Sequence, residues 1–372
     1  MLIPADDYPL HQTPEPIAYA GSDRNFYDRF FFNGYSPDGS VFFAAALGVY
    51  PQLNIMDAGF CLLLEGRQYN LRASREMHGD RLALDVGPIR VEIVKPLEHT
   101  RIVVAENESG LSGTMEVHAR HMAVEEPRFV WRQGTRLLMD VTRATQNVSW
   151  TGFLDKDGQR IDLHECLGTR DRSWGIRPVG ARDPQAVVPV EAPQFYWLWM
   201  PFNFAEAGLF CHTNDDASGE SWNRHAVFAD FHHDRYVSFD NFVLHPRYAG
   251  GSRRIASVDF GLVGGAWSEA RQVTVKPCGP TFYMQGLGYN HPEWGHGCHH
   301  GPLRVACDEI DTERAEARLA EGELHHLHVQ VLADIVVEGP REELHGQGVV
   351  EQFFMGPHGP SGFTGFLDPV LS

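Results

Sequence analysis

Residues 81–105 read RLALDVGPIRVEIVKPLEHTRIVVA. Three runs within this stretch, Arg81 to Val86, Ile89 to Val94 and Thr100 to Ala105, alternate apolar with polar side chains, which is the period of a strand that buries one face. Gly87-Pro88 between the first two supplies turn geometry. The pattern extends in both directions. Ser40 to Val49 follows the turn residues Pro37-Asp38-Gly39, and Phe60 to Glu65 and Gly113 to His118 continue the series, so the first half of the chain reads as one antiparallel meander. A second series runs from about Arg160: Ser173 to Arg177, Phe195 to Phe202, Gly208 to His212, His225 to His232, Tyr236 to Leu244, Ile255 to Leu262 and Gln272 to Val275, closing with Leu324 to Val331 and Gly348 to Met355. The expected fold class is all-β, in two β-domains spanning 1–160 and 161–372. Asp311 to Gly322, DTERAEARLAEG, consists of good helix formers, but its Ala315, Ala317 and Leu319 repeat with period two, which predicts a hairpin.

Composition narrows the classes of function. The chain has 372 residues, 43% of them hydrophobic, with 23 Phe, 11 Tyr and 8 Trp, enough to build sizeable cores. Its 31 basic and 49 acidic residues leave a net charge of −18, which repels nucleic acid and anionic membranes. The six cysteines form no CxxC, and Cys61 and Cys211 sit in apolar runs, as expected of reduced thiols in a cytoplasmic protein. The opening MLIPADDYPL carries acids where a signal peptide needs a basic region. The longest apolar stretch, Val41 to Tyr50, ends at Pro51, far short of the roughly 20 residues that span a bilayer, so no membrane insertion is expected. The sequons at Asn107 and Asn147 would then go unused. No P-loop, nucleophile elbow or Gly-rich strand-to-helix turn occurs, so no cofactor is expected.

Several clusters carry titratable side chains. Residues 168–178 read GTRDRSWGIRP. In extended form Arg170, Arg172 and Trp174 share one face, and Thr169, Asp171 and Ser173 the other. An acid beside two arginines is held ionised, whereas one in an apolar pocket is pushed towards the protonated, donating form. Asp171 is therefore a candidate proton donor, and the alternative is an ion-pair network of Arg170, Asp171 and Arg177 with Trp174 as a packing plug. His164-Glu165 could act together only if a turn aims both into one cavity. Phe231-His232-His233-Asp234, after Trp222 to His225, offers either an inward histidine oriented by Asp234 or an exposed turn. His291, Glu293, His296, Cys298, His299 and His300 crowd one Gly-rich loop, yet without the CxxC or HExxH spacing that converges on a metal. That loop is expected to cap a cavity mouth with Tyr289 and Trp294, and no metal is expected. His326-x-His328 has the spacing of paired cupin histidines, but the Glu that should follow a few residues later is absent.

The segment Gly168 to Pro178 resembles the G-x-R-D-x-S-W-G-x-R-P stretch of the AttH-like and hydroxyneurosporene-synthase-like superfamily. Asn25 to Phe30 resembles the aromatic and acidic opening strand of those proteins, and Gly346 to Glu351 their closing strand. The resemblance implies two lipocalin-like antiparallel β-barrels in tandem, with an apolar cavity for an isoprenoid or polyketide-like ligand. Its members include carotenoid hydratases, cyclisation enzymes and proteins without known activity. The leading expectation is a cofactor-independent enzyme that protonates a terpenoid-like alkene, the cation being stabilised by aromatic faces. Asp171 would be the acid, with His232, His233 and Asp234 as the second choice. Tyr27, Arg170, Trp174, Arg177, Tyr196, Trp197 and Trp199 would bind the substrate, a small hydrophobic molecule. The rival readings are a carrier or sensor of such a molecule and, more weakly, a metal-dependent enzyme built on the histidine-rich loop.

Overall fold

The computed structural model describes residues 2–11, 23–185, 188, 190–233, 235–264, 267–320, 323–340 and 342–368. Strand accounts for 59% and helix for 7%, so the all-β expectation holds. The chain divides into two compact units, Met1–Glu191 with Gln285–Asp311, and Ala192–Met284 with Thr312–Ser372. The expected division at 160/161 falls elsewhere for a definite reason. Leu167–Ile176 is hydrogen-bonded between Phe26–Tyr35 on one side and Arg136–Lys156 on the other, so it belongs to the first unit's sheet.

In the first unit the antiparallel order runs Leu303–Asp311, Arg67–Glu76, Ile55–Leu64, Val41–Tyr50, Phe26–Tyr35, Leu167–Ile176, Arg136–Lys156, Leu111–Ala119, His99–Val104, Ile89–Lys95 and Asp85–Val86. Arg75, on the strand next to the Leu303–Asp311 end of this path, donates to the carbonyls of Asp85 (2.6 Å) and Ala83 (2.7 Å) at the other end, and the sheet is a nearly closed barrel. The strand expected over Arg81 to Val86 shrinks to Asp85–Val86 because the residues before it are taken up by this closure.

Central strands such as FYDRFFFNGY and VFFAAALGVY are buried on both faces, which is why they read as continuous apolar runs. Their inner face, with Phe30, Phe32, Phe43, Leu47, Phe60, Leu62, Met115 and Trp150, forms one core with almost no solvent exposure. Trp150 fills the middle, edge-on to Phe43 and donating to the Asn33 carbonyl at 3.1 Å. Gly34 makes room for this packing, since a Cβ there would lie 2.2 Å from the Phe43 ring. This interior is a packed core.

The second unit is a nine-stranded antiparallel sheet, ordered Arg235–Phe239, Ser221–Asp230, Ala207–Asp215, Phe195–Asn203, Glu343–Met355, Val329–Glu338, Trp267–Tyr283, Ile255–Gly264 and His245–Tyr248. One face packs Leu198, Met200, Phe202, Leu209, Val258, Phe260 and Val350 into its core. The hairpin predicted over 311–322 is instead the helix Thr312–Ala320. Ala315 and Leu319, four apart, are buried together while Ala317 faces solvent, so the period-two reading had included one exposed alanine. Leu319 packs on Leu327 and Leu367. The expected strand from Leu324 likewise begins with a 3-10 turn, Leu324–His326, and becomes extended only at Val329.

Candidate functional site

The segment Gly168 to Pro178 divides its side chains between two faces as its alternation requires. On the inner face, Arg170 is paired with the fully buried Asp7, which also accepts the Leu97 N–H at 2.6 Å. Arg172 meets Asp28 at 2.5 Å and lies 3.9 Å over the Phe30 ring. His11 lies 2.7 Å from Asp28 and stacks on Trp174 at 3.5 Å. Burial alone would raise the Asp28 carboxyl, but Arg172 and His11 more than offset it and hold it below the ordinary range. Arg170 and Trp174 are thus tied into a buried network. Its acids are Asp7 and Asp28; the expected member Asp171 points the other way.

The opposite face brings Tyr27, Asp171 and Arg177 together. Asp171 is half-buried and 3.9 Å from Arg143, which is also paired with Glu126. The Arg177 guanidinium covers the Tyr27 ring at 4.4 Å, and burial pushes the Tyr27 hydroxyl up to about 12. Beside them Arg29, buried, donates to the Tyr50 hydroxyl (3.1 Å), to Asp57 Oδ1 (3.2 Å) and to the Leu287 carbonyl (3.1 Å). Asp57 Oδ2 accepts the Gly297 N–H at 2.8 Å. Burial raises the Asp57 carboxyl, and the Arg29 charge and hydrogen bonds recover only part of that shift.

The histidine-rich loop is what this face holds. His296 accepts from Arg177 at Nδ1 (2.5 Å) and donates from Nε2 to the Leu287 carbonyl (3.0 Å). His291 Nδ1 accepts the N–H groups of Glu293 and Trp294, His300 stacks on Trp294 at 4.1 Å, and His299 lies 3.3 Å from Glu76. The loop does cover a cavity, lined by Asp57, Arg72, Ser74, Trp294, Cys298 and His300. At about 10 Å³ it admits one water. These histidines act as fasteners of the loop, each with its own partner.

In the second unit the register places Trp199, Glu351 and Gln330 side by side on the face opposite the core. Glu351, buried, accepts at Oε1 from His328 Nε2 (2.7 Å) and Trp197 Nε1 (3.0 Å), and at Oε2 from Gln330 Nε2 (2.6 Å). His328 stacks on Phe353, with ring centroids 5.3 Å apart. Burial alone would raise the Glu351 carboxyl, but the His328 charge and the three hydrogen bonds outweigh it and hold the group below the ordinary glutamate range. This is a carboxylate and an imidazole in direct contact among aromatic rings, an arrangement able to move a proton. Tyr196 points to the other face, where its hydroxyl meets that of Tyr248 at 2.9 Å.

The remaining candidates lie apart from both clusters. His232 and His233 are exposed on a turn capped by Asp230, whose Oδ1 accepts both backbone N–H groups at 3.1 Å. Asp234 lies outside the described residues. His164 and Glu165 are both exposed. All six cysteines are free, with Cys61, Cys166 and Cys211 buried, Cys298 half-buried, and Cys278 and Cys307 exposed.

A family model, Family of unknown function (DUF8625), matches residues 2–364. The chain belongs to that family. No curated protein matches this DUF8625 member. Among solved structures, an AttH-like protein from Nitrosomonas europaea superposes with a TM-score of 0.53 at 12% identity, over 95% of this chain and 100% of that one. CghA matches with a TM-score of 0.47 at 8% identity over 90% of each chain. Kievitone hydratase from Nectria haematococca gives 0.45 at 10% identity over 88% of each. The first likeness establishes the fold, in agreement with the superfamily resemblance of Gly168 to Pro178.

Sequence reasoning missed Arg29, Asp57, Glu351 and the pairing of His328 with Glu351. A signal was present for three of them: Asp57 and Glu351 are lone charges in apolar strands, NIMDAGF and GVVEQFFM, and Arg29 stands beside Asp28 in the apolar FYDRFFF. The glutamate that meets His328 does not follow it along the chain; it comes from the neighbouring strand.

Proposed function

We propose that this DUF8625 member is a cofactor-independent enzyme that uses acid–base chemistry on a hydrophobic, terpenoid-like alkene, by hydration, isomerisation or cyclisation. The observation that carries the reading is the buried His328–Glu351 pair set against Trp197, Trp199 and Phe353. In this reading the protonated His328 imidazole is the donor, with the Glu351 carboxylate as its counter-ion. Transfer of the His328 proton to an alkene carbon breaks the π bond, forms a C–H bond and leaves a cation on the adjacent carbon. Indole faces and the Glu351 carboxylate stabilise that cation. The neutral imidazole then recovers a proton, either from water adding to the cation or from a neighbouring carbon. Trp197 and Trp199 are the substrate-binding residues in this reading. Its proton donor differs from Asp171, whose carboxylate is engaged with Arg143.

The experiment is incubation of the protein with a panel of prenyl and terpenoid alkenes in D2O, read by mass spectrometry for solvent deuterium or added water. Wild type should label or hydrate at least one member, and Glu351→Gln and His328→Gln should lower that rate by about 10²–10⁴-fold, the usual range for a general acid or base. Tight binding with every alkene recovered unlabelled would instead establish the carrier.

A further inference from the structure

The turn that follows the helix Thr312–Ala320 gathers Glu323, His325 and His326. Among the described residues this is the one group of three His, Cys, Asp or Glu side chains whose ligand atoms all lie within 4.8 Å of one another. His325 Nε2 is 3.2 Å and His326 Nδ1 3.9 Å from the same oxygen, Glu323 Oε2. The 3-10 turn Leu324–His326 produces the convergence by folding residues 323, 325 and 326 around a single point. We propose that this turn is a zinc site, with Glu323, His325 and His326 as three ligands and water as the fourth.

The dimensions suit the ion. Zinc bonds to histidine nitrogen and carboxylate oxygen run about 2.0–2.2 Å, which sets neighbouring ligand atoms of a tetrahedron roughly 3.3–3.5 Å apart. The two measured separations bracket that value. A second observation is independent of the spacing. The His326 side chain is only 4% exposed, and its Nδ1 is sealed from solvent without a hydrogen-bond partner. Buried polar atoms in folded proteins are rarely left so.

The surrounding charges are compatible with a cation. Arg254 donates to the His326 carbonyl at 2.9 Å, but its charge is matched by Glu316 at 2.8 Å. Arg318 lies 4.0 Å from Glu323, and, being more than half exposed, it can turn to solvent when a metal takes the carboxylate. The site is separate from the histidine-rich loop that the sequence brought forward. It does not rest on the acid–base reading, although His328 follows two residues after His326.

Tag-free full-length protein, stripped with a chelator, is titrated with zinc ion against a chromophoric competitor, and with cobalt(II) for its visible spectrum. One equivalent should bind, cobalt should give the intense absorption of a four-coordinate centre, and zinc should raise the melting temperature of the stripped protein. Glu323→Gln and His325→Ala, whose side chains are 37% and 25% exposed and so leave the fold intact, should each weaken zinc by more than about tenfold, the scale of losing even an outer-shell partner. His326→Ala should do the same, while the exposed His345→Ala should leave affinity unchanged. Failure to bind one equivalent would overturn the proposal. So would equal zinc affinity in Glu323→Gln and His325→Ala, whatever the fate of His326→Ala.

Discussion

Replacing Glu351 by Gln tests the second unit's central polar pair with little change in shape. Glu351 accepts three hydrogen bonds, from His328, Trp197 and Gln330. The variant's amide oxygen can keep the two at Oε1, but its NH2 then meets the Gln330 NH2, so that bond is lost unless Gln330 turns over. Hydrogen bonds to a charged group are worth about 1.5–3 kcal/mol and neutral ones about 1, so the substitution should cost about 2–3 kcal/mol near pH 7. Glu351→Ala, which strands His328 in a buried setting, should cost about 3–5 kcal/mol. The pH dependence follows from the depressed carboxyl. Its stabilisation is fully present above the unfolded glutamate value of about 4.3 and is lost as pH falls through the lower folded value. The gap between wild type and Glu351→Gln should therefore hold steady from pH 7 to 6 and narrow below about pH 4.5. Urea unfolding followed by circular dichroism and tryptophan fluorescence measures it. A gap below about 0.5 kcal/mol at pH 7, or one that stays constant into acid, would refute the assignment of a charged, load-sharing Glu351.

Other perturbations separate the roles of the first unit's residues. Arg29→Leu removes the buried charge that pairs with Asp57 and donates to Tyr50 and the Leu287 carbonyl, and should cost about 3–5 kcal/mol in denaturant titrations. His296→Ala removes the bridge between Arg177 and the Leu287 carbonyl; about 1–3 kcal/mol should be lost, with faster amide exchange over 285–302 and faster maleimide labelling of Cys298, whose thiol burial now pushes up. Asp171→Asn should change stability by less than about 1 kcal/mol, because Arg143 keeps Glu126 and the Asp171 contact is 3.9 Å long. Turnover should survive that change, and an intact melting curve with turnover lost would give the acid role back to Asp171.

Much of the fold was legible because its information is local. Alternation and turn residues located most strands, and parity alone separated Arg170, Arg172 and Trp174 from Asp171. What was not legible depends on which strands become neighbours. Nothing in the stretch Leu167–Ile176 says that it inserts between Phe26–Tyr35 and Arg136–Lys156, so the domain boundary fell too early. Nor does Gln285–Asp311 announce its return to the first unit's sheet, where Leu303–Asp311 pairs with Arg67–Glu76. The site has the same character. His328 and Glu351 lie on adjacent strands, 23 positions apart, and Arg29 reaches Leu287 across 258. Pattern reading also misfired where one exposed alanine, Ala317, made a helix look like a strand.

The motif that best identifies the superfamily resemblance is largely a lock. Arg170 and Arg172 are committed to Asp7 and Asp28, Trp174 is stacked on His11, and Gly168 is held so close to its neighbour that a Cβ would lie 2.0 Å from the Asn33 carbonyl. Residues bound this tightly fix the barrel, and a buried ion pair broken on one side costs about 3–5 kcal/mol. Selection for folding alone is enough to retain such a segment, so its presence carries information about architecture and little about chemistry. Chemistry needs a proton donor and an acceptor in contact beside surfaces that can hold a substrate. On that criterion the inner-face arginines are excluded, Asp171 faces Arg143 and not an imidazole, and the His328–Glu351 pair stands out. The search for a substrate should therefore begin from the rings beside that pair, Trp197, Trp199 and Phe353, and not from the motif that points to the family.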